Sequence, residues 1–571
     1  MSPPISIWAL LPEIILLVGG CTVLLLGQAG RDSRRRLVPW AALLTLVLGI
    51  ALVLLGSHAD ASGWNIRRKG NGFSFGSLST FVRLAALELG ILLTLVNWSA
   101  GREKGRGEFL AMMLFSLTGL LLVAPADNLL ILFLALELVS VPTYIMVIFS
   151  RSSARAAEAG TKYFFLGAMS AAIMAYGFSF LYGVSGTASL SGTLTAVSAA
   201  LQQPKTLSCG LAVIGVVLSL GGLLFKIAAV PLHFYVADVY QGVASPVAGL
   251  LGFVPKLAGL IAIFKIVSLT GYWDAGQEGT FWLLWIVAVL SMCVGNVLAL
   301  RQTNLKRMLA YSGVAHAGYM LVGVAAGPEA GKAIATAGVS IMGDGTAAAL
   351  YYIVIYGIAN LAAFAVLGQL RTRDGPCETL RDVSGLLRRE PGLALLLALA
   401  LFTLMGLPPT PGFWGKLCLF GSALTASRLS GDSRLVVLVV IAVLNSALAA
   451  AYYLRAIAAV LLYENDRPAQ ADPREAQKIG ALLCGFLLVI FTLHPTGLMS
   501  AGRAATGELR PAAVAALNHG SANAKRTGDI AGVCDPRSGP GTAVTTHQRQ
   551  GSPAEWPMSP VHFTRSESWR R

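Results

Sequence analysis

The sequence predicts an all-α polytopic membrane protein of about 14 transmembrane helices, built as two inverted five-helix repeats with broken helices 7 and 12. Three observations carry this prediction. Charged residues make up 12% of the 571 residues and hydrophobic residues 55%, whereas a surface facing water needs roughly 25% charged residues. The apolar residues gather in runs near the twenty needed to cross a bilayer. The short loops between those runs alternate in basic charge. A soluble enzyme, a disordered hub and a fibre do not fit these numbers.

Apolar windows fall at about 7–27, 37–56, 79–98, 109–126, 128–149, 162–183, 207–235, 243–269, 280–300, 308–326, 346–370, 392–426, 433–463 and 478–500. The first window has no basic residues before it, so it reads as a retained span. For the same reason Val18-Gly19-Gly20-Cys21 is not read as a lipoprotein cleavage box. One set of loops carries Arg31, Arg34, Arg35, Arg36, Arg102, Lys104, Arg106, Arg151, Arg155, Arg301, Lys306, Arg307, Arg371, Arg373, Arg381, Arg388, Arg389, Arg467, Arg474 and Lys478. The opposite set carries only Arg67, Arg68, Lys69, Lys205, Lys332, Arg428 and Arg434. The positive-inside rule makes the first set cytoplasmic and places both termini on the other side. The net charge of +15 is therefore read as lipid-facing loops rather than a nucleic-acid surface.

Two windows are too long for one crossing. Residues 392–426 would reach about 52 Å as one straight helix, against a hydrocarbon core of about 30 Å. Gly406-Leu407-Pro408-Pro409-Thr410-Pro411-Gly412 supplies the break. Residues 207–235 hold Gly221-Gly222 mid-window and Pro231 near one end. Freed backbone groups inside a membrane must be received by protein or water. Two interrupted helices five spans apart fit an inverted pair of repeats, helices 4–8 and 9–13. The chain then divides into helices 1–3 (1–106), a first half (107–270), a second half (271–465), helix 14 (466–500) and a disordered polar tail (501–571), where Pro, Gly, Ser, Thr and Arg dominate.

A charge at mid-membrane costs at least ~2.5–3.5 kcal/mol, so each one demands a reason. Glu137 lies nine residues into the fifth window, Lys226 precedes Pro231, Lys256 is near the middle of the eighth, and Lys416 follows the break in the twelfth. Lysines near helix ends reach the headgroups by snorkelling. That reading suits Lys265 and Arg83, and competes evenly with function for Lys162. It fails for Lys256, whose side chain of ~6 Å cannot escape ~15 Å of depth. Glu88 in the third window stays open between the two readings. His233 and His316 serve either as polar helix contacts or on a proton path, and the path is favoured for His316.

These groups suggest proton transfer rather than bond making. An apposed carboxylate favours a charged lysine and burial disfavours it, so a Glu–Lys pair that opens and closes switches the next lysine between donor and acceptor. The seven cysteines are scattered with no metal-ligand spacing, so neither a disulfide framework nor a metal site is expected. No nucleotide-binding loop or HExxH occurs, and no cofactor-binding residue is assigned.

Several longer motifs occur in order. They are Leu11-Pro12-Glu13, Leu136-Glu137-Leu138 with Val141-Pro142-Thr143-Tyr144, Phe225-Lys226-Ile227-Ala228-Ala229-Val230-Pro231-Leu232-His233, Gln241-Gly242-Val243-Ala244-Ser245-Pro246, Asn304-Leu305-Lys306-Arg307 running on to Ala315-His316-Ala317-Gly318-Tyr319, and the Gly406–Phe413 segment. Over roughly 7–500 the chain resembles the antiporter-like membrane subunits of complex I, the proton-pumping NADH:quinone oxidoreductase. The resemblance implies one proton channel per subunit. Glu137 and Lys226 would be the charged pair of the first half-channel, Lys256 the central relay and Lys416 the residue exchanging protons with the far side. Lys162 and His316 match the family's sixth-helix lysine and tenth-helix histidine, and His233 is a secondary candidate. NADH, FMN, iron–sulfur clusters and quinone would belong to partner subunits, membrane and peripheral, in a bacterial plasma (inner) membrane. Subunits of multisubunit cation/proton antiporters and of membrane hydrogenases share these motifs and are the alternative. A solute symporter would need substrate contacts at the breaks, where lysines stand instead, and a passive scaffold leaves the buried charges unexplained.

Overall fold

The computed structural model describes residues 7–29, 36–61, 69–70, 72–98, 106–150, 153–275, 277–328, 343–372, 375–464, 469–471 and 475–509. Its helices include α1 Leu11–Gln28, α2 Val38–Ala61, α3 Ser77–Val96, α4 Arg106–Val123, α5 Leu129–Phe149, α6 Ala154–Ser185, α7 Leu207–Lys226, α8 Val236–Gly242, α9 Ser245–Leu269, α10 Glu278–Leu300, α11 Leu305–Ala326, α12 Gly345–Gln369, α13 Pro391–Met405, α14 Pro411–Ser430, α15 Ser433–Leu461, α16 Glu475–Leu493 and α17 Pro495–Thr506. Among the described residues 13 helices are long and apolar enough to cross a membrane. The expected twelfth crossing adds to these as two shorter helices, α13 and α14, parted at 406–410. Among the described residues, strand structure is confined to short loop pairings, Lys69–Gly70 with Phe73–Ser74, and Leu370–Thr372 between Gly375–Pro376 and Gln470–Ala471.

Local sequence explains the starts of these helices. Asn128, Ser153, Thr206, Asn304, Asp344 and Asp432 each place a side-chain oxygen on a first-turn N–H, satisfying donors that have no partner within the helix. Proline opens α1, α9, α13, α14 and α17, where its missing N–H costs nothing. Glycines set the closest helix approaches. A Cβ on Gly222 of α7 would stand 2.5 Å from Met174 Cβ of α6, and one on Gly295 of α10 would stand 2.6 Å from the Ala315 nitrogen of α11.

Burial is graded from rim to centre. Helices α1, α2, α6, α7, α10 and α15 turn large apolar side chains outward, as lipid-facing helices do. Almost every residue of α9, α11 and α12 is buried. Helix α12 packs on α9, α11, α13, α14 and α16, and α9 packs on α5 and α7. The most enclosed part of the bundle is therefore where α9, α11 and α12 meet.

Four expectations are revised. In the seventh crossing the chain departs from helix after Lys226, around Pro231, and Gly221-Gly222 lies inside a continuous α7. There Gly222 lets α6 approach, and Ser170 Oγ donates to the Gly222 carbonyl at 2.8 Å. Arg83 does not snorkel. It is buried, and its Nε donates to Glu13 Oε1 at 2.7 Å while Nη2 donates to the Ala9 carbonyl at 2.9 Å. Lys265 is also buried, donating to the carbonyls of Ala124 and Ala126. Polar composition after Ala501 does not end the fold, because α17 continues to Thr506 and a 3-10 turn to Leu509. The rest of the expected tail, 510–571, lies outside the described residues.

The Arg83–Glu13 pair ties the Leu11-Pro12-Glu13 opening to α3. Arg83→Ala strands a buried carboxylate, a loss of ~3–5 kcal/mol, whereas an apolar double replacement is often neutral. Arg83→Ala is therefore expected to lower the thermal unfolding midpoint of the detergent-solubilised protein clearly, and Arg83→Met with Glu13→Leu to recover most of the loss. A double variant no better than the single would contradict this account of the pair.

Candidate proton-relay site

The two interrupted crossings place the first and last lysines of the site. Lys226 is the final residue of α7, and its Nζ donates to Ser140 Oγ at 2.6 Å, Glu137 Oε1 at 3.0 Å and the Leu136 carbonyl at 3.4 Å. Glu137 and Ser140 are three residues apart and share one face of α5. Past Lys226 the freed backbone groups are met by side chains. Tyr235 OH donates to the Phe225 carbonyl at 2.8 Å, and Ser291 Oγ accepts from the Val230 N–H at 3.0 Å. Irregular backbone at this depth requires such partners.

Lys416 lies in α14, six residues into the helix that follows the break in the twelfth crossing. Its Nζ donates to the Met405 carbonyl at the end of α13 (2.7 Å) and to Ser446 Oγ of α15 (2.8 Å), and it lies 4.9 Å from the ring centre of Tyr319. Tyr351 OH donates to the Pro411 carbonyl at 3.2 Å. Gly406 turns at φ +83, and a Cβ there would sit 3.0 Å from Lys416 Cδ.

Lys256 stands in the enclosed centre, 2% exposed. Its Nζ donates to the Gly313 carbonyl of α11 at 2.7 Å and to Tyr356 OH of α12 at 3.2 Å. A Cβ on Gly313 would lie 2.6 Å from Lys256 Nζ and 2.7 Å from Tyr356 OH, so the ammonium uses space that only glycine leaves. A cavity of about 10 Å³ is lined by both Lys226 and Lys256, together with Tyr163, Tyr235, Tyr240 and Pro255. That is about the room one water needs. Pro255 also withdraws an N–H from the helix there, loosening the backbone beside the cavity.

His316 is one turn along α11 from Gly313. Its Nδ1 lies 2.7 Å from Tyr352 OH and its Nε2 3.0 Å from Tyr453 OH. One ring nitrogen of a neutral imidazole donates and the other accepts, so this histidine joins two hydroxyls. Tyr352 and Tyr356, at i and i+4 on α12, reach His316 and Lys256 respectively. Tyr453 and Ser446, two turns apart on α15, reach His316 and Lys416.

The structure thus brings Glu137 and Lys226 together by a direct bond, Lys226 and Lys256 to one small cavity, and Lys256, His316 and Lys416 to the rings of Tyr356 and Tyr319. Lys162 is set apart. It is partly exposed and pairs with Glu158 at 2.6 Å and Asp238 of α8 at 2.9 Å, in place of snorkelling to headgroups. Asp238 also accepts from Arg307 Nη1 at 2.8 Å. His233 lies in the seventh break, buried, with no partner for Nδ1 among the described residues. Sequence reading missed Ser140, Ser446, Tyr352, Tyr356 and Tyr453. Only the i, i+4 tyrosines in an apolar α12 and the i, i+3 spacing of Glu137 and Ser140 were signals. Among the described residues, Lys256 and Lys416 face no carboxylate within ion-pair distance. An arrangement of lysines, hydroxyls and a histidine, with one carboxylate at its head, has the exchangeable protons and neighbouring acceptors that proton transfer requires.

Comparison with known proteins gives the relatives of the chain as a whole. The NADH:quinone oxidoreductase/Mrp antiporter transmembrane family matches residues 126–447. A protein of Paramagnetospirillum magneticum named NADH-quinone oxidoreductase subunit N is 33% identical over 528 residues, covering 90% of this chain and 100% of its own. A chain of respiratory complex I from Thermus thermophilus with bound aureothin superposes with a TM-score of 0.67 at 30% identity, over 86% of this chain and 99% of that one. A chain of the Mrp complex from a Dietzia species shares the fold, with a TM-score of 0.71 at 19% identity over 88% and 97%.

The clearance at Gly313 makes a sharp test. Gly313→Ala is expected to push Lys256 from its carbonyl and hydroxyl partners and to cut proton translocation at least several-fold in reconstituted vesicles, with the protein still folded. Gly210→Ala, where a Cβ meets nothing within 4 Å, should leave translocation unchanged. Equal behaviour of the two variants would contradict the packing argument.

Proposed function

This chain belongs to the NADH:quinone oxidoreductase/Mrp antiporter transmembrane family, and we propose that it is a membrane-arm subunit of a bacterial NADH:quinone oxidoreductase that moves protons across the plasma membrane. The observation that carries the reading is the buried file Glu137–Lys226, Lys256, His316, Lys416 within a chain that matches subunit N relatives along almost its whole length. Electron transfer from NADH through FMN and iron–sulfur clusters to quinone takes place in partner subunits, and this chain is the translocating part of the enzyme. Both termini lie on the non-cytoplasmic side, and the two five-helix halves are inverted copies.

In the proposed cycle the Glu137 carboxylate, 3.0 Å from Lys226, holds a proton on that lysine while the pair is closed. Opening the pair frees Lys226 to pass its proton across the small cavity to Lys256. Lys256 gives a proton to the Tyr356 and His316 region, and the imidazole passes one nitrogen's proton on as the other nitrogen receives one. Lys416 accepts it and releases it to the far side, where the Met405 carbonyl and Ser446 hydroxyl hold the ammonium in the meantime. Lys162 and Asp238 at the head of the route set the field at the entry, and His233 is a secondary polar group in the seventh break.

A cation/proton antiporter subunit is the competing reading, favoured by the Mrp fold similarity, which at 19% identity speaks to fold alone. Gentle purification from native membranes followed by mass spectrometry separates the two. The proposal expects flavin- and iron–sulfur-bearing NADH dehydrogenase subunits to co-purify, and small membrane subunits alone would move the assignment to the antiporter. Within an assembled complex, Glu137→Ala is expected to reduce protons moved per NADH oxidised far more than Glu88→Ala. Equal losses would remove the special role given to Glu137.

A further inference from the structure

Helices α3, α12, α16 and α17 enclose a cleft of about 960 Å³ that opens on the outer face of the bundle and plays no part in the relay. Its walls are mostly apolar, from residues such as Phe81, Leu92 and Phe491. Glu88 projects into it. Glu88 is the twelfth residue of the 20-residue α3, so it lies ~16 Å along a helix of ~30 Å, near mid-membrane. The residue is exposed, and no hydrogen bond or ion pair to it exists among the described residues. Every other acid discussed above has a cation or a donor: Glu13 has Arg83, Glu137 has Lys226, and Asp238 has Lys162 and Arg307.

An unmet carboxyl at this depth is costly whether charged or protonated, and no partner for it stands among the described residues. We propose that the cleft seats a transmembrane helix of a partner subunit, one that presents a lysine, arginine or hydroxyl donor at mid-membrane depth opposite Glu88. Two features select a helix over a lipid. A phospholipid keeps its polar groups at the membrane surface, and its hydrocarbon chains offer nothing to a carboxyl halfway down. In addition, Gly76, Ala85, Ala501 and Ala504 line the cleft, and small side chains let a second helix backbone come close while a polar contact locks the register. Helix α17, beyond the last long span, forms one wall, which gives the C-terminal end of the fold a role in assembly.

The inference rests on the reading that this chain is one subunit of a larger membrane complex. The test places a photo-crosslinking residue at Leu84 or Leu92, both in the cleft wall, in the intact complex in its native membrane. The expected product is an adduct to one transmembrane peptide of a neighbouring subunit. Its yield should fall at least several-fold with Glu88→Leu and hold with Glu88→Gln, which still hydrogen-bonds. Adducts to phospholipid alone, in a complex whose partner subunits are present, overturn the inference and leave the subunit reading standing. Equal yields from Glu88→Leu and Glu88→Gln overturn the role of Glu88, and a chain that purifies without any partner subunit overturns both readings together.

Discussion

The cost of holding a lysine ammonium at the middle of a membrane governs the arrangement of the centre of this structure. A cation there loses its water, and the ~2.5–3.5 kcal/mol charged even on a forgiving scale must be offset by fixed dipoles. The protein supplies them from backbone carbonyls and side-chain hydroxyls of neighbouring helices. Lys416 takes the carbonyl that ends α13, Lys226 closes α7 against a carbonyl and a hydroxyl of α5, and Lys256 takes the Gly313 carbonyl. The break between α13 and α14 frees the Met405 carbonyl for Lys416, and the break in the seventh crossing ends α7 at Lys226, beside Glu137 and Ser140 of α5. The enclosure of α9, α11 and α12 follows, since dipoles act strongly only where water is scarce.

A second set of contacts fastens the two halves to each other. Lys306 is fully buried and donates to the Val243 carbonyl at 3.0 Å, while Arg307 reaches Asp238 and Gln241 of α8 at 2.8 and 3.1 Å. Asn304 caps the same turn. The Gln241-Gly242-Val243 and Asn304-Leu305-Lys306-Arg307 segments, far apart in the chain, are thus two sides of one joint. Asp238 is shared between Arg307 of the second half and Lys162 of the first. A movement of α8 against α11 would be felt at both ends of that shared carboxylate, close to the Glu137–Lys226 pair.

Much of this was legible in the sequence, and the reasons for the remainder are physical. Hydropathy and length gave the crossings, because burial in lipid constrains every residue of a span. The depth of Lys256 followed from its place in the eighth window alone. Partner choice did not follow. Arg83 and Lys265 sit near helix ends, where snorkelling is the ordinary outcome, and only the folded bundle brings Glu13 and the carbonyls of Ala124 and Ala126 to them. The seventh break was expected from proline and glycine together, yet Gly222 turned out to serve close packing against α6. The hydroxyls of Tyr352, Tyr356 and Tyr453 escaped because buried tyrosines in a long apolar helix look like core. Their role emerges only when α11, α12 and α15 converge on His316.

The proposed route takes protons across this subunit through Lys256. The most direct measurement is the number of protons moved per NADH oxidised by the assembled complex in sealed vesicles, with Lys256→Ala against the unaltered protein. The account predicts an assembled complex with full subunit content and a marked fall in protons per NADH, together with slower coupled turnover. An assembled Lys256→Ala complex that pumps normally would take Lys256 off the path and contradict the account.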